Sequence, residues 1–455
     1  MTRTLGEWLS YQERTHPRDI ELGLERVRAV WEAMGAPRPA PLVITVGGTN
    51  GKGSTVALLE GMLRAAGYRT ACYTSPHLLR YNERIRIDGE DAADEALVAS
   101  FERIEAARGS IPQTYFEFGT LAALDLMARA RLDVAILEVG LGGRLDAVNI
   151  VDADVAVITT VDLDHQDWLG NDRDSIGREK AGIARAGRPA IVGELAPPQG
   201  LLDALRGIGA VIVRAGEAYV SVGARLARDS LSPSFEISRA SSGGRPRNMS
   251  RAGRAPTPAP ENTWSWEHRD GTSLELPLPA LDAPVQLANA ATAIAAIHAL
   301  GTRVDVSPAA IRAALSTVHV PGRLQRIADH PRTLVDVGHN PQAARALAAW
   351  LDAQPASGRV FAVYGALADK DVAGVVSAMG RRIDRWFIAG LEADTPRGLG
   401  AGVLVSTLVA VLPGASASAH ASVAEAWAAA RQAASDDDTL LLFGSFFVAA
   451  AALTG

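Results

Sequence analysis

Four glycines, a lysine and three hydroxyls crowd the loop of "VITVGGTNGKGSTVALLEGML", Val43 to Leu63, between an apolar strand-like run and a helix-like pattern. Residues of these types, so placed, build a phosphate cradle. Backbone N–H groups of a glycine-rich turn converge on phosphate oxygens, and the N-terminus of the following helix adds its dipole. Lys52 would supply a point charge for the β and γ phosphates of a nucleotide. Ser54 or Thr55 would face a Mg²⁺ ion. The spacing departs from the usual P-loop. The run from the first glycine to Gly51-Lys52 is shorter, and Gly53 separates the lysine from Ser54. The bland alternative is an ordinary glycine-rich turn; the strand before it and the helix after it argue against that.

Other chemistry-bearing residues stand at the ends of buried runs. Glu138 lies at the end of the strand in "DVAILEVGLGG", where P-loop proteins place a metal-side carboxylate. Strand-end acids also cap helices, but the phosphate loop favours the metal role. His165 ends "DVAVITTVDLDH" at the same sheet edge, where open α/β sheets gather ligands. Against a metal role, Mg²⁺ prefers oxygen, and a lone histidine is normally a satisfied structural side chain. The residues alone leave both readings open. Lys180, in "SIGREKAGIARAG", reads best as a surface salt bridge. "YTSPHLLRYNERIRIDG" offers Ser75, His77, Arg80, Arg84 and Arg86. These arginines either hold carboxylates or form a solvated strand face. Later, "LVDVGHNP" sets Asp336, His339 and Asn340 at one strand end, and "GALADKDVAG" sets Asp369, Lys370 and Asp371 at another. A site and plain helix caps are equally reasonable there.

The elements that must position these groups follow from hydrophobic pattern. "IELGLERVRAVWEAMG" has helical spacing and closes on Gly35. After it, strands ("PLVITVGG", "RTACYTS", "DVAILEVG", "DVAVITTVDLDH") alternate with helices ("KGSTVALLEGMLRAAG", "FEFGTLAALDLMARARL"). Unbroken β-branched runs between helices predict a parallel sheet covered on both faces, an α/β layer fold. The stretch Arg239 to Asn262 carries five arginines and one acid among Ser, Gly, Pro and Ala. It has no periodicity and reads as a flexible, solvated insertion rather than a nucleic-acid arm. "TWSWEHRDGTSLELPLP" is an alternating hairpin around Asp270-Gly271. Two helical runs, "VQLANAATAIAAIHAL" and "SPAAIRAALSTV", lead to the linker-like "VPGRLQ". From about Arg332 the rhythm restarts with the strands "TLVDVG", "RVFAVYGA", "RWFIAG" and "TLLLFGS". The expected organisation is α/β throughout. An N-terminal P-loop ATPase-type domain with a parallel sheet (1–320) precedes a linker (321–331) and a smaller, Rossmann-like C-terminal domain (332–455). The second domain lacks a G-x-G-x-x-G fingerprint, so a dinucleotide is not indicated.

At 455 residues and 48% apolar, the chain can bury a large core in two or three domains. A net charge of −6 argues against nucleic acid as the main partner. The single cysteine, Cys72, excludes an internal disulfide framework and fits a reducing cytoplasm. The start "MTRTLGEWLSYQERTHP" has no apolar signal core. The tail "TLLLFGSFFVAAAALTG" is shorter than the roughly 20 residues a membrane span needs, and Gly444-Ser445 breaks it into a strand and a helix. A soluble, cytoplasmic monomer is expected.

Taken together, "GTNGKGST", "YTSPHLLRYNERIRIDG", "TYFEFGTLAAL", "LEVGLGGRLDAVNIVDADVAVIT", "LDHQDWLG", "SIGREKAGI", "NAATA", "PGRLQ", "DVGHNP" and "LADKDVAG" resemble, in order and over nearly the whole chain, the folylpolyglutamate synthase/dihydrofolate synthase family. That family lies within the Mur-type amide ligases. The resemblance implies that Thr49, Asn50, Gly51, Lys52, Gly53 and Ser54 hold ATP. It implies that Ser75, Glu138 and His165 bind Mg²⁺, and that a carbamylated Lys180 serves a second metal. Asn289, Arg323 and Asp336 would complete the nucleotide site between domains, and His339 would lie near the incoming L-glutamate. Lys52, Lys180 and His339 would be the catalytic set. Leu22 and Gly23, Thr114 to Glu117 (with Tyr115 and Phe116), and Leu145, Asp146 and Ala147 resemble the bifunctional bacterial type. These would hold the pterin and benzoate of dihydropteroate. The 239–262 insertion departs from the family pattern, as does Gly338, which stands where alanine is usual.

The reaction so implied joins a carboxylate to an amine. Both groups are ionised and solvated in water, so ATP first phosphorylates the carboxylate. The glutamate amine then displaces phosphate. The small-molecule partners would be dihydropteroate, folates and L-glutamate. Three rivals stand beside this expectation. A cell-wall ligase would need a UDP-binding domain, for which the roughly 40 residues before the loop are few. A non-catalytic nucleotide switch would leave Arg323, Asp336 and His339 without purpose. A ligase confined to the glutamate tail would not use dihydropteroate.

Overall fold

The computed structural model describes residues 3–16, 21–222, 263–354 and 358–454. The expected flexible insertion at 239–262 falls outside them. The first sheet is built from β1 (Leu42–Gly47), β2 (Thr70–Tyr73), β3 (Ile85–Ile87), β4 (Glu90–Asp91), β5 (Val134–Glu138), β6 (Val155–Ile158), β7 (Pro189–Val192) and β8 (Val211–Arg214). Its order is β4-β3-β2-β5-β1-β6-β7-β8. From β2 to β8 every pairing is parallel; β3 and β4 add an antiparallel edge. Along β1 the apolar run splits into two faces with period 2. Val43 packs into one core with the helices Asp94–Arg108 and Tyr115–Arg129, while Leu42, Ile44 and Val46 pack into the other with Lys52–Ala65 and Val285–Ala299. Both faces are therefore covered, as unbroken apolar strands require.

The hairpin forms as its pattern predicts. β10 (Thr263–His268) and β11 (Ser273–Pro277) pair antiparallel across Asp270-Gly271, and Gly271 takes φ +96°. β9 (Tyr219–Val222) joins as a third strand. Trp264 and Trp266 point inward and are fully buried.

The second sheet contains β12 (Gln325–Asp329), β13 (Arg332–Val335), β14 (Val360–Tyr364), β15 (Arg385–Ala389), β16 (Ala417–His420) and β17 (Thr439–Phe443), in the order β12-β13-β17-β14-β15-β16. All pairs are parallel except β12 with β13. Two features differ from the sequence expectation. Residues 325–329 of the expected linker 321–331 form β12, because their backbone pairs with β13 at the sheet edge. β16, "ASAH", gives no apolar signal; its pairing with β15 makes it a strand. The apolar tail resolves into β17 and the helix Phe446–Thr454, and no helix among the described residues is long and apolar enough to cross a membrane. Cys72 is free and buried in β2.

Candidate active site

The carboxyl ends of the parallel strands in both sheets open onto one cleft of about 2350 Å³. Register begins its construction. Val46 of β1 lies opposite Glu138 of β5, so the carboxylate comes level with the start of the glycine loop. Thr49 N–H donates to Thr160 O (2.9 Å) and Asn50 N–H to Thr160 Oγ1 (2.9 Å), which pins the loop to the chain after β6. The helix Lys52–Ala65 then begins at Gly51, which sits at φ +84° and offers no capping side chain. Its first N–H groups are left for an anion. Close approach explains two glycines. A Cβ on Gly48 would collide with the Thr159 hydroxyl, and one on Gly51 with the Asn289 carboxamide. Lys52 Nζ is held over the loop by the carbonyls of Gly48 (3.1 Å) and Thr49 (3.3 Å). Ser54 lines the cleft, whereas Thr55 is fully buried elsewhere, so Ser54 is the hydroxyl that can face an ion.

Glu138 is buried, and its Oε2 accepts from Ser75 N–H (3.3 Å). Burial pushes this carboxyl up, against the pull of Lys52, Ser75 and Arg323. A buried acid raised by desolvation and aimed at a phosphate loop is a natural hard-cation ligand. The hydroxyls of Ser54 and Ser75 add oxygen donors at the same wall. His165 enters the wall from a left-handed residue (φ +51°), and burial lowers its imidazole to about 4. It is neutral at pH 7 and able to offer a lone pair.

Lys180 overturns its surface-salt-bridge reading. It is 3% exposed, lines the cleft, and has no carboxylate within ion-pair distance among the described residues. Burial, with Lys52 nearby, lowers its ammonium to about 7. Sequence pattern puts this residue on a charged helix; packing of that helix against the helix Gln199–Ile208 and the loop after β5, where a Cβ on Gly143 would lie 3.1 Å from Lys180 Cα, buries that face. The arginine-rich stretch divides as well. Arg80 pairs with Asp94 at the surface, Arg86 pairs with Glu60, and only Arg84 lines the cleft, its Nε donating to His77 Nδ1 (2.8 Å).

Arg323, from the turn before β12, and Asp336, after β13, face Glu138 and the loop. A Cβ on Gly53 would lie 3.6 Å from both Arg323 and Glu138. Burial lowers the Arg323 guanidinium, with Asp336 and Glu138 opposing. Asp336 accepts from the N–H groups of Leu324 (2.7 Å) and Gly338 (2.7 Å). At Gly338 an alanine methyl would come to 2.7 Å from Asp336 Oδ1, so the glycine lets this carboxylate sit closer to its own turn. His339 Nδ1 donates to Val337 O (2.9 Å), which fixes the tautomer and leaves Nε2 as acceptor. Burial, with Lys370 nearby, lowers its pKa.

A group not singled out in the sequence ties the halves together. Asp164 accepts from Lys370 Nζ (2.9 Å) and Asn340 Nδ2 (3.2 Å), and His339 Nε2 stands 3.8 Å away. Burial would raise this carboxyl, but the facing His165, Lys370 and His339 hold it well below the usual range. With His165 neutral, Lys370 carries that attraction at pH 7. The only sequence signal was an acid beside His165 at a strand end. Asn340 also exchanges amide hydrogen bonds with Asn50 of the phosphate loop, each 3.0 Å. Asp371 simply caps its helix through Gly374 N–H (2.8 Å).

The remaining predicted residues also line the cleft: Leu22, Gly23, Thr114, Tyr115, Phe116, Glu117, Leu145, Asp146, Ala147 and Asn289. Their polar atoms are largely spoken for. Thr114 and Glu117 form a reciprocal capping box, and Glu117 pairs with Arg26 (2.9 Å). Gly23 N–H donates to Leu145 O (3.3 Å). Asp146 accepts from Leu141 and Val148, and burial lifts it to about 7. The ring faces of Tyr115 and Phe116 are what this end offers a flat ligand.

Residues 46–192 match the Mur ligase middle domain, and residues 322–446 the Mur ligase glutamate ligase domain. Over 426 residues, 94% of this chain and 89% of the relative, the sequence is 45% identical to the dihydrofolate synthase/folylpolyglutamate synthase of Escherichia coli (strain K12). The structure of E. coli FolC in complex with DHPP and ADP is similar at TM-score 0.86 and 44% identity, covering 99% of this chain and 97% of that one. A bifunctional folylpolyglutamate synthase/dihydrofolate synthase with Mn, AMPPNP and L-glutamate bound is similar at TM-score 0.83 and 43% identity, covering 100% and 98%. With both domains matched and nearly the full length aligned, the chain belongs to the dihydrofolate synthase/folylpolyglutamate synthase family of Mur-type ligases.

Proposed function

We propose that the protein is an ATP-dependent ligase that adds L-glutamate to dihydropteroate, making dihydrofolate, and to folyl(poly)glutamate. One observation carries this reading. A single cleft joins an uncapped glycine loop, the apolar wall around Phe116, Arg323 from the turn before β12, and Asp336, His339 and Lys370 from the second α/β layer. About 2350 Å³ is ample for a nucleotide and a second ligand, since single-ligand sites run to roughly 1,000 Å³.

In the first step a substrate carboxylate oxygen attacks the γ phosphorus and ADP leaves, giving an acyl phosphate. The loop N–H groups and Lys52 stabilise charge on the transferring phosphoryl group. Ser75 and Glu138 suit Mg²⁺ as oxygen donors, with His165 alongside, and the ion would supply positive charge against the phosphates. Arg323, Asp336 and Asn289 would hold the rest of the nucleotide. In the second step the glutamate amine attacks the acyl carbon, the C–O bond to phosphate breaks, and the amine loses a proton. His339 Nε2, neutral and unprotonated, is placed to accept that proton. A Lys180 amine poised near 7 would react with CO₂ and release one proton, becoming a carbamate that serves a second metal. The Asp164–Lys370 and Asn50–Asn340 contacts would hold the domains closed and keep water from the acyl phosphate. Residues to 320 would form the nucleotide unit. The hinge would be 321–324, since β12 already belongs to the second sheet. A cytoplasmic setting fits the free, buried Cys72, and the protein would act on small molecules as a monomer.

The test is ADP release with ATP, Mg²⁺ and L-glutamate, with dihydropteroate and a tetrahydrofolate assayed in parallel and products weighed by mass spectrometry. Turnover of both is expected. Turnover of the tetrahydrofolate alone would restrict the protein to tail lengthening. No acid-stimulated ADP release would overturn the ligase reading.

A further inference from the structure

Outside the cleft, the hairpin turn and the last turn of the helix Val285–Ala299 bring His268, Asp270 and His298 together. None of the three lines the cleft. Their ligating atoms all lie within 4.8 Å of one another. Asp270 bridges the two rings, with Oδ1 at 3.0 Å from His268 Nδ1 and Oδ2 at 2.8 Å from His298 Nε2.

We propose that these side chains bind a divalent transition-metal ion, zinc by the character of the donors, with water completing a tetrahedron. Two imidazoles and a carboxylate suit zinc rather than Mg²⁺. Bonds of about 2.0–2.1 Å in a tetrahedron put donor atoms roughly 3.3 Å apart; here each ring faces its own carboxylate oxygen, and one donor from each side chain lies within 4.8 Å of the others, so small side-chain rotations would converge them on one ion. The geometry is imposed from beneath. Trp266 is fully buried and stacks on His268 at 5.8 Å and 9°. Its Nε1 donates to Ala291 O (3.1 Å) of the helix that carries His298. One buried indole thus sets the distance between both histidines, whose centroids are 4.4 Å apart. Thr272 N–H donates to Asp270 Oδ1 (2.9 Å) and orients the carboxylate. Asp270 is 47% exposed, which gives an ion an entry path. The ion would clip the hairpin to the helix whose Asn289 lies against Gly51.

The test uses full-length, chelator-treated protein titrated with Zn²⁺ in excess Mg²⁺, which occupies oxygen-rich sites. Co²⁺ absorption reports tetrahedral coordination. One equivalent of Zn²⁺ should bind and raise the unfolding temperature. His268→Ala and His298→Ala should each weaken binding by at least about tenfold and lose the Co²⁺ bands, with ligase activity retained. His319→Ala, an exposed control, should bind as the wild type does. Should either alanine variant misfold by circular dichroism, Asp270→Asn replaces it. Absence of a Zn²⁺ equivalent in excess Mg²⁺, or one unchanged in the variants, overturns the proposal.

Discussion

Each sheet presents a helix N-terminus to the cleft, and the two termini are finished differently. In the first sheet the helix Lys52–Ala65 starts at Gly51, with no side-chain cap. In the second, Pro341–Asp352 starts at Asn340, whose Oδ1 accepts from Ala343 N–H (3.0 Å), and its first position is proline. The first terminus leaves its N–H groups for phosphate; the second has satisfied or deleted them. Two similar α/β layers therefore take unlike tasks. The first holds charge on a nucleotide. On the proposed reading the second would supply Asp336, His339 and Lys370, with Arg323 from the hinge before it, and a surface that would close.

That contrast can be broken most sharply at Lys52. Lys52→Ala should lower kcat for ADP release by about 10³, the loss typical of a preorganised charge at a transition state, with unfolding temperature little changed. A loss under tenfold would mean that the second sheet carries the phosphoryl step. Next in size is Gly51→Ser, which installs a cap and a strained φ beside Asn289. Nucleotide affinity, measured by titration, should fall roughly 100-fold, from about 1–3 kcal/mol of strain plus lost phosphate contacts. The closing surface is probed by Asp164→Asn, which removes the carboxylate nearer to Lys370 (2.9 Å) and leaves it Asp369 of its own turn at 3.4 Å. Amide formation should fall about 30-fold, and ADP formed per amide should rise as acyl phosphate leaks to water. Unchanged coupling would remove Asp164 from the closure.

The smallest effect expected is one of pH. The Lys180 amine is neutral above about 7, so its carbamate, and with it kcat, should fall about tenfold per unit below that pH. Added bicarbonate should raise the rate on this acid limb. The linked stability has a fixed sign. Between about 7 and 10.5 the unfolded lysine binds a proton that the folded one does not, so stability rises with pH across that window. Lys180→Met should flatten the rise in a pH series of denaturant melts.

Much of this protein is written locally in its sequence. The period-2 run of β1, the glycines before Lys52, the Asp270-Gly271 turn and the strand-end positions of Glu138 and Asp336 each depend on a few neighbouring residues. Backbone sterics and amphipathic period act at that range, so the α/β layers and the phosphate cradle were legible. Family resemblance, rather than spacing, pointed to Asn289, Arg323 and the Tyr115–Phe116 wall, and all of them line the cleft. Other outcomes needed the packed molecule. Burial turned Lys180 from a presumed surface charge into a near-neutral amine. Of the arginines Arg80, Arg84 and Arg86, only Arg84 reached the cleft. Pairing with β13 made a strand of residues 325–329 within the expected linker, and Asp164 met Lys370 across 206 positions of chain. Desolvation and long-range ion pairing are set by whatever the folded chain brings close, and no window of sequence contains both partners.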